Sequence, residues 1–290
     1  MINNSSIALL GAATLIAAGS ARAQQSSAPP VVGDVMVSGS DLVEEKPDGA
    51  NGEPEWVRQR RYSLTRIYIQ QDPGQIGVEQ WYRARFYDGG RVTQRSQTEF
   101  EIGLPHRMQL DVYENILHDN TGGGWQQEEV AVELRYAFAD WNTIPGNPTL
   151  YFEYAFAHDG PDAIEPKLLL GGELDKGWHW GLNFILEHEL WGDKTTELGI
   201  AAGLSKTLVD DKLSVGIEGK ASGVRGETVE AIFGPSIQWR PTPNTHLDVV
   251  ALAGVTRSAP NAECWLIFGF DFGDGPSEGG GYKPTSPGGR

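Results

Sequence analysis

Between residues 128 and 157 the chain alternates with a period of two. Val130, Val132, Leu134, Tyr136 and Phe138 form an apolar series. Glu129, Ala131, Glu133, Arg135 and Ala137 form a small or charged one. The pattern breaks over residues 141–148. It resumes with Leu150, Phe152, Tyr154 and Phe156 against Tyr151, Glu153, Ala155 and Ala157. Successive strand residues point to opposite faces, so each segment is a strand with one apolar face. A weaker version returns at Leu266, Phe268, Phe270 and Phe272. Turn-forming stretches fall at 103–106, 142–148, 175–177, 209–211 and 241–244. A second set falls at 88–91, 119–127, 159–166, 192–195, 222–226 and 258–261. The two sets alternate along the chain, as an up-and-down meander requires. Counting back from Phe272 predicts about 12 strands starting near Ile76, within a range of roughly 10–14. Residues 60–70 form either a further strand or a periplasmic segment.

Alternation does not say whether the apolar face meets a second sheet or lipid. The N-terminus decides between them. Residues 1–23 read as a secretory signal peptide: a short apolar core from Ile7 to Ala18, then Ala21-Arg22-Ala23 as the cleavage site. No Cys follows that site, and no apolar run is long enough for a helical span. Tryptophans gather at the strand ends rather than the middles. Trp141, Trp178, Trp180 and Trp239 fall beside the first set of turns, and Trp125, Trp191 and Trp265 towards the other end. That is the distribution of interfacial girdles. The expected fold is an all-β, up-and-down antiparallel transmembrane β-barrel, with a soluble sandwich as the alternative.

Composition fits an exported barrel. Gly is abundant and 10% of residues are aromatic, yet mean hydropathy is negative, because only alternate residues need be apolar. The formal net charge of −16 argues against nucleic acid as a partner, since phosphate binding needs Lys and Arg clusters. The single Cys264 excludes an intramolecular disulfide framework. Residues 24–55 and 274–290 are rich in Gly, Pro and Ser and read as disordered segments. Residues 56–273 read as the barrel.

With the apolar side on lipid, the lumen receives Asp111, Glu129, Glu133, Arg135, Glu153, Lys167, Glu173, Glu187, Glu189, Glu197, Glu218, Lys220, Arg240 and Asp248. Charges facing hydrocarbon are costly, so interior placement follows. Phe152, Phe156, Phe268, Phe270 and Phe272 are expected to face lipid, with Trp141, Trp178, Trp180 and Trp239 as interface aromatics. Acidic groups outnumber basic ones. This predicts either a pore that favours cations or neutral solutes, or a lumen closed by charge pairs.

Other constellations are weaker. Ser236, His246 and Asp248 contain the types of a nucleophile, base and acid set. They lie beside the turn at 241–244 and face inward, whereas an enzyme acting on lipid needs its nucleophile at the bilayer surface, so no catalytic residues and no enzyme are expected. Glu187-His188-Glu189 does not make a metal site, because on a strand His188 points away from both Glu. Gly122-Gly-Gly124 lacks the Lys of a phosphate loop. His158-Asp159 with Asp162 and Glu165 reads as a solvated acidic outer loop. No cofactor is expected.

The run from Trp265 through Leu-Ile-Phe-Gly-Phe-Asp to Phe272 resembles the C-terminal signal of Gram-negative outer-membrane β-barrel proteins. There the final aromatic usually closes the chain; here the chain continues to Arg290. Over residues 91–273 a closer resemblance emerges. Glu99-Phe-Glu-Ile-Gly-Leu-Pro105, Gln109-Leu-Asp-Val-Tyr113, Glu133-Leu-Arg-Tyr-Ala-Phe-Ala139, Asn147-Pro-Thr-Leu-Tyr-Phe-Glu-Tyr154 and Gly234-Pro-Ser-Ile-Gln-Trp-Arg240 carry it. They are similar to an outer-membrane transporter family named after the phenol meta-cleavage pathway and to its uncharacterised relatives. The resemblance implies passage of small molecules through a porin-like barrel and brings no catalytic residues. Outer-membrane lipids, lipopolysaccharide, the barrel-assembly machinery and small-molecule solutes are the expected partners. A structural or adhesive barrel with a closed lumen is the alternative function.

Overall fold

The computed structural model describes residues 49–58, 62–174, 177–209 and 212–273. The signal peptide, the tail from 274 and the expected disorder of residues 24–48 lie outside them. Twelve strands form one closed antiparallel barrel. They are β1 (Ile76–Phe86), β2 (Val92–Leu104), β3 (Met108–Asp119), β4 (Gly122–Ala137), β5 (Thr149–Ala157) and β6 (Ala163–Leu174). Then come β7 (Trp178–Glu189), β8 (Thr196–Val209), β9 (Leu213–Val224), β10 (Glu230–Thr242), β11 (Thr245–Gly254) and β12 (Ala262–Phe272). Each strand pairs with its sequence neighbours. Closure comes from β1 against β12, running from Ile76 opposite Phe272 to Phe86 opposite Ala262. Closure leaves no unpaired edge, which a bilayer would not tolerate.

The fold is that of an outer-membrane β-barrel, as the alternation predicted. Phe152, Phe156, Phe268, Phe270 and Phe272 lie on the outward face and are exposed. The inward face is the polar one: Glu99, Asp111, Glu133 and Arg135 are fully buried. This inverts a soluble core, because here the outside solvent is hydrocarbon. The barrel ends differ. At the end where β1 starts and β12 finishes, β4–β5 has a long connection but β2–β3 and β10–β11 are joined by short turns; at the other, β3–β4 is tight but β7–β8 and β11–β12 have longer loops. Bacterial barrels keep short turns on the periplasmic side, so the terminus-bearing end is the periplasmic one.

Three expectations change. The break at 119–127 shrinks to residues 120–121, because β4 already starts at Gly122. Its first residues, 122–126, are exposed, so this hairpin continues beyond the wall into solvent. Trp141 is not an interface aromatic. It is buried, stacks edge-on against Trp56 and Tyr68, and its backbone N–H donates to Asn51 O at 2.9 Å. Trp265 faces inward and donates its indole N–H to Glu263. Trp178 and Trp239 do sit outward at the periplasmic end, both exposed, and Trp180 shares that face, two residues along β7 from Trp178. A tryptophan near a strand end can turn to either side, and only packing partners distant in sequence choose which.

The wall begins at Ile76. Residues 49–58 and 62–75 are neither wall nor an extra strand. Glu55–Arg58 forms one helical turn (α1) with Trp56 and Val57 buried. Even Glu53, inside the stretch expected to be disordered, is fully buried. Trp56, Val57, Tyr62, Ile67, Tyr68, Ile69, Ala137 and Trp141 make the largest apolar cluster of buried residues. It lies within the barrel, where this segment meets the wall.

Candidate functional site: the barrel interior

Residues 62–75 run inside the barrel and bond to its wall. Glu218 on β9 accepts the N–H groups of Ser63 and Leu64 at 2.8 and 2.7 Å. Asn183 on β7 accepts the Arg66 N–H and donates to the Arg66 carbonyl, both at 2.8 Å. Gln109 on β3 accepts the N–H groups of Gln70 and Gln71. Tyr62 OH donates to His179 O at 2.5 Å, and Tyr68 OH to Ala139 O at 2.8 Å. A segment without secondary structure must satisfy its backbone somewhere; this one uses lumen side chains.

The wall is shaped for it. Gly171, Gly181 and Gly203 stand opposite one another in register across β6, β7 and β8. A Cβ on Gly171 would lie 2.6 Å from Ile67, on Gly181 2.8 Å from Thr65, and on Gly203 2.4 Å from Tyr62. The row is a groove in which the segment rests. Replacing Gly203 with Leu therefore expels Tyr62 and unseats the segment. The expected result is faster proteolysis of residues 62–75 with the barrel's heat-modifiable gel shift unchanged. Equal protease resistance in both proteins would show that the groove is not the seat.

The interior charges fall into three groups. In the middle, Arg135 bonds to Asp111 (2.8 Å), to Glu133 and to Gln70 of the inserted segment. Arg66 approaches Glu99 at 3.6 Å and packs over Trp81. Glu99, Asp111 and Glu133 lie close enough to ligate a cation, but Arg135 and Arg66 already hold those carboxylates. Beside them, Tyr151 OH donates to Glu153, and Lys167 pairs with Glu165 over the Tyr151 ring. Towards the outer end the wall is only partly covered. Glu129 meets Arg95 and Asn115. Glu187 stands opposite Glu197, Lys220 opposite Ala201, and Glu189 accepts the Thr195 N–H. At the periplasmic rim, Glu173 is exposed near His179, and Arg240 reaches Pro243 O and Asp271.

Several interior charges were not anticipated: Glu79, Glu99, Glu101, Arg83, Arg85, Arg95 and Glu263. Arg83 stands opposite Arg95, and Arg85 bridges Glu263 and Glu230. In its outer half the wall of β1 and β2 carries three guanidiniums, of which Arg85 and Arg95 pair with carboxylates on β10, β12 and β4. Half-way round the ring, β7 and β8 carry Glu187 and Glu197. The outer half of the lumen thus sets Arg–carboxylate pairs on one wall against Glu187 and Glu197 on the other.

The Ser236, His246 and Asp248 set does not assemble. His246 Nδ1 lies 3.0 Å from Asp248 and Nε2 lies 3.1 Å from Glu79. Both ring nitrogens are held by carboxylates, and Ser236 stands opposite Val250 instead. His188 turns outward, where its Nδ1 lies 2.8 Å from Thr196 Oγ1.

At the periplasmic cap, Asp72 accepts the Ala50 N–H at 2.7 Å and pairs with Arg58 at 2.8 Å. Burial pushes the Glu53 carboxyl up to about 7, with the Asp72 charge adding to the rise against backbone N–H bonds that lower it. A carboxyl that holds its proton more tightly when seated favours the seated state at low pH. That contribution is complete below the unseated value near 4.5 and is lost as pH rises through about 7. Protease release of the cap should therefore be faster at pH 8 than at pH 5, and Glu53→Gln should flatten the difference. A wild-type rate independent of pH would contradict the assignment.

A closed ring of alternating strands, an apolar outside and a charged inside filled by the chain's own N-terminal segment define an outer-membrane barrel of the twelve-stranded kind. No family model matches the chain, and no curated protein matches it in sequence. Solved structures do match in fold. The NanC porin superposes with a TM-score of 0.50 at 13% identity, over 69% of this chain and 100% of that one. An outer-membrane channel from Pseudomonas putida F1 gives 0.49 at 12%, over 71% and 98%. The KdgM porin in complex with disordered oligogalacturonate gives 0.48 at 10%, over 68% and 99%.

Proposed function

We propose that the protein is an outer-membrane channel for small molecules, narrowed on its periplasmic side by residues 49–58 and 62–75. The observation that carries this reading is the charged, only partly covered outer half of the lumen. Arg83, Arg85 and Arg95 with their carboxylate partners on one side, and Glu187 and Glu197 on the other, line a space that residues 62–75 do not fill. Fixed charges in a narrow, low-dielectric passage act strongly on solutes. The fold neighbours are porins and channels, and the resemblance to the phenol meta-cleavage transporter family points to small organic solutes. Lipopolysaccharide around the outer rim and the barrel-assembly machinery, reading the Trp265–Phe272 strand, complete the proposed partners.

The seated segment favours a second reading, a structural or adhesive barrel with a closed lumen. Conductance of the full chain in planar bilayers separates the two. A channel conducts, prefers cations under a KCl gradient because carboxylates outnumber Arg and Lys, and loses part of that preference in a Glu187→Gln, Glu197→Gln variant. No conductance, in protein that fractionates with the outer membrane and migrates faster unboiled than boiled, would establish the closed barrel.

A further inference from the structure

The outer surface of β1–β3 differs from the rest of the barrel. Gln80, Thr98 and Glu114 form a row: Gln80 stands opposite Thr98, and Thr98 opposite Glu114. All three are outward and exposed. Tyr82 and Ser96 stand opposite each other in the next row, and Gln127 joins them from β4, opposite Ile116.

These residues lie in the apolar belt, not at its edge. Gln80 is level with Phe268 of β12. Glu114 is level with Val130, and Val130 with Phe156. From Met108 to Glu114 is about 20 Å along the strand and about 15 Å along the barrel axis at the usual tilt, near the middle of a band about 25 Å tall. Apolar residues bracket the patch, with Phe100 and Val112 on the periplasmic side and Phe86 towards the outside. At the same depth β5–β12 present apolar side chains such as Phe152, Phe184, Ile217, Phe233, Val249 and Phe268, all at least a third exposed.

Hydrocarbon has no hydrogen bonds to offer, and a polar group facing it is costly. The patch satisfies itself only in part. Thr98 donates to Gln80 and Gln80 to Ser96, both at 2.9 Å. Gln127 donates to one Glu114 oxygen at 3.0 Å, the one hydrogen bond of that carboxylate among the described residues. A depression of about 310 Å³ opens between Tyr82, Ser96, Thr98, Glu114 and Ile116.

We propose that this face is the interface of a two-fold dimer of the chain within the membrane. The patch holds amide and hydroxyl donors as well as a carboxylate acceptor, so it complements itself. No other belt-depth part of the described exterior has polar groups to meet it. A head-to-tail contact between copies would bury these groups against Phe or Leu. The arrangement that pairs them sets the patch of one copy on the same patch of the second, an isologous contact. There the second copy's Ser96 hydroxyl and the remaining Gln127 N–H supply the missing donors to Glu114, and side chains of each copy enter the depression of the other.

The test uses the full chain with Cys264→Ser as background. Gln80→Cys, Thr98→Cys and Glu114→Cys are introduced one at a time and oxidised in native outer membranes, with Phe184→Cys on the opposite wall as control. Disulfide-linked dimers from at least one of the three, and none from Phe184→Cys, are expected. In purified protein, Glu114→Leu with Gln80→Leu should weaken dimerisation by tenfold or more in sedimentation equilibrium, while the heat-modifiable shift shows that the barrel still folds. Absence of any cross-linked dimer in membranes overturns the proposal. So does cross-linking to a band other than the protein itself, which would give this face to a different partner.

Discussion

Replacing Arg135 with Met should destabilise the barrel by about 3–5 kcal/mol, the range for removing one partner of a buried ion pair. Arg135 is fully buried and bonds at once to Asp111, Glu133 and Gln70. Removing it leaves two buried carboxylates in register on β3 and β4, with Glu101 opposite Asp111 on β2. Gln109 still donates to Asp111, but among the described residues no other guanidinium bonds to either carboxylate, and Arg66 is engaged with Glu99. Adding Asp111→Asn and Glu133→Gln to the same chain should return much of the loss, since the cost is that of unpaired charge and not of missing volume. Denaturant unfolding in lipid, followed by the gel shift, measures both. An Arg135→Met midpoint equal to wild type would mean that water reaches the cluster freely.

Phe268→Arg should cost about 2–4 kcal/mol, the value for a cation at mid-bilayer on a lipid-facing position. Phe268 is 51% exposed to the outside and lies level with Gln80 and Leu247. The comparison must be an inward site that is not packed. Ala155 fails that condition, because it is buried against Tyr113, Ala131 and Ala163. Ala157, two residues on and opposite Glu129, faces the partly open outer lumen. Ala157→Arg should cost much less than Phe268→Arg. Equal losses would mean that the outward face does not meet hydrocarbon.

How far the site was legible follows from where the two faces differ. In β4 and β5 one side is wholly apolar, so the phase of the alternation places Glu129, Glu133, Arg135 and Glu153 on the other side at once. In β1 and β2 the outward series includes Gln80, Tyr82, Gln94, Ser96 and Thr98. Both faces are then polar and the period carries no contrast. That is why Glu79, Arg83, Arg85, Arg95, Glu99 and Glu101 went unassigned, and why the arginines of β1 and β2 were absent from the expected lumen. The same feature that hides these inward charges motivates the dimer face.

From the sequence alone came the strand order, a count of about 12 within roughly 10–14, the up-and-down meander and the exchange of apolar outside for polar inside. All four rest on local patterns: a period of two, turn residues at regular spacing and an export signal. The tertiary structure decided what those patterns do not encode. It joins His246 to Glu79, and Arg85 to Glu263, only because β1 closes on β12. It turns Trp141 inward because Trp56 and Tyr68 lie there. It seats residues 62–75 on Gly171, Gly181 and Gly203, which become a groove only when three strands align. The physical reason is the same in each case. A side chain's direction is set by neighbours along the strand, but its partners are set by register and closure, which join residues far apart in the chain.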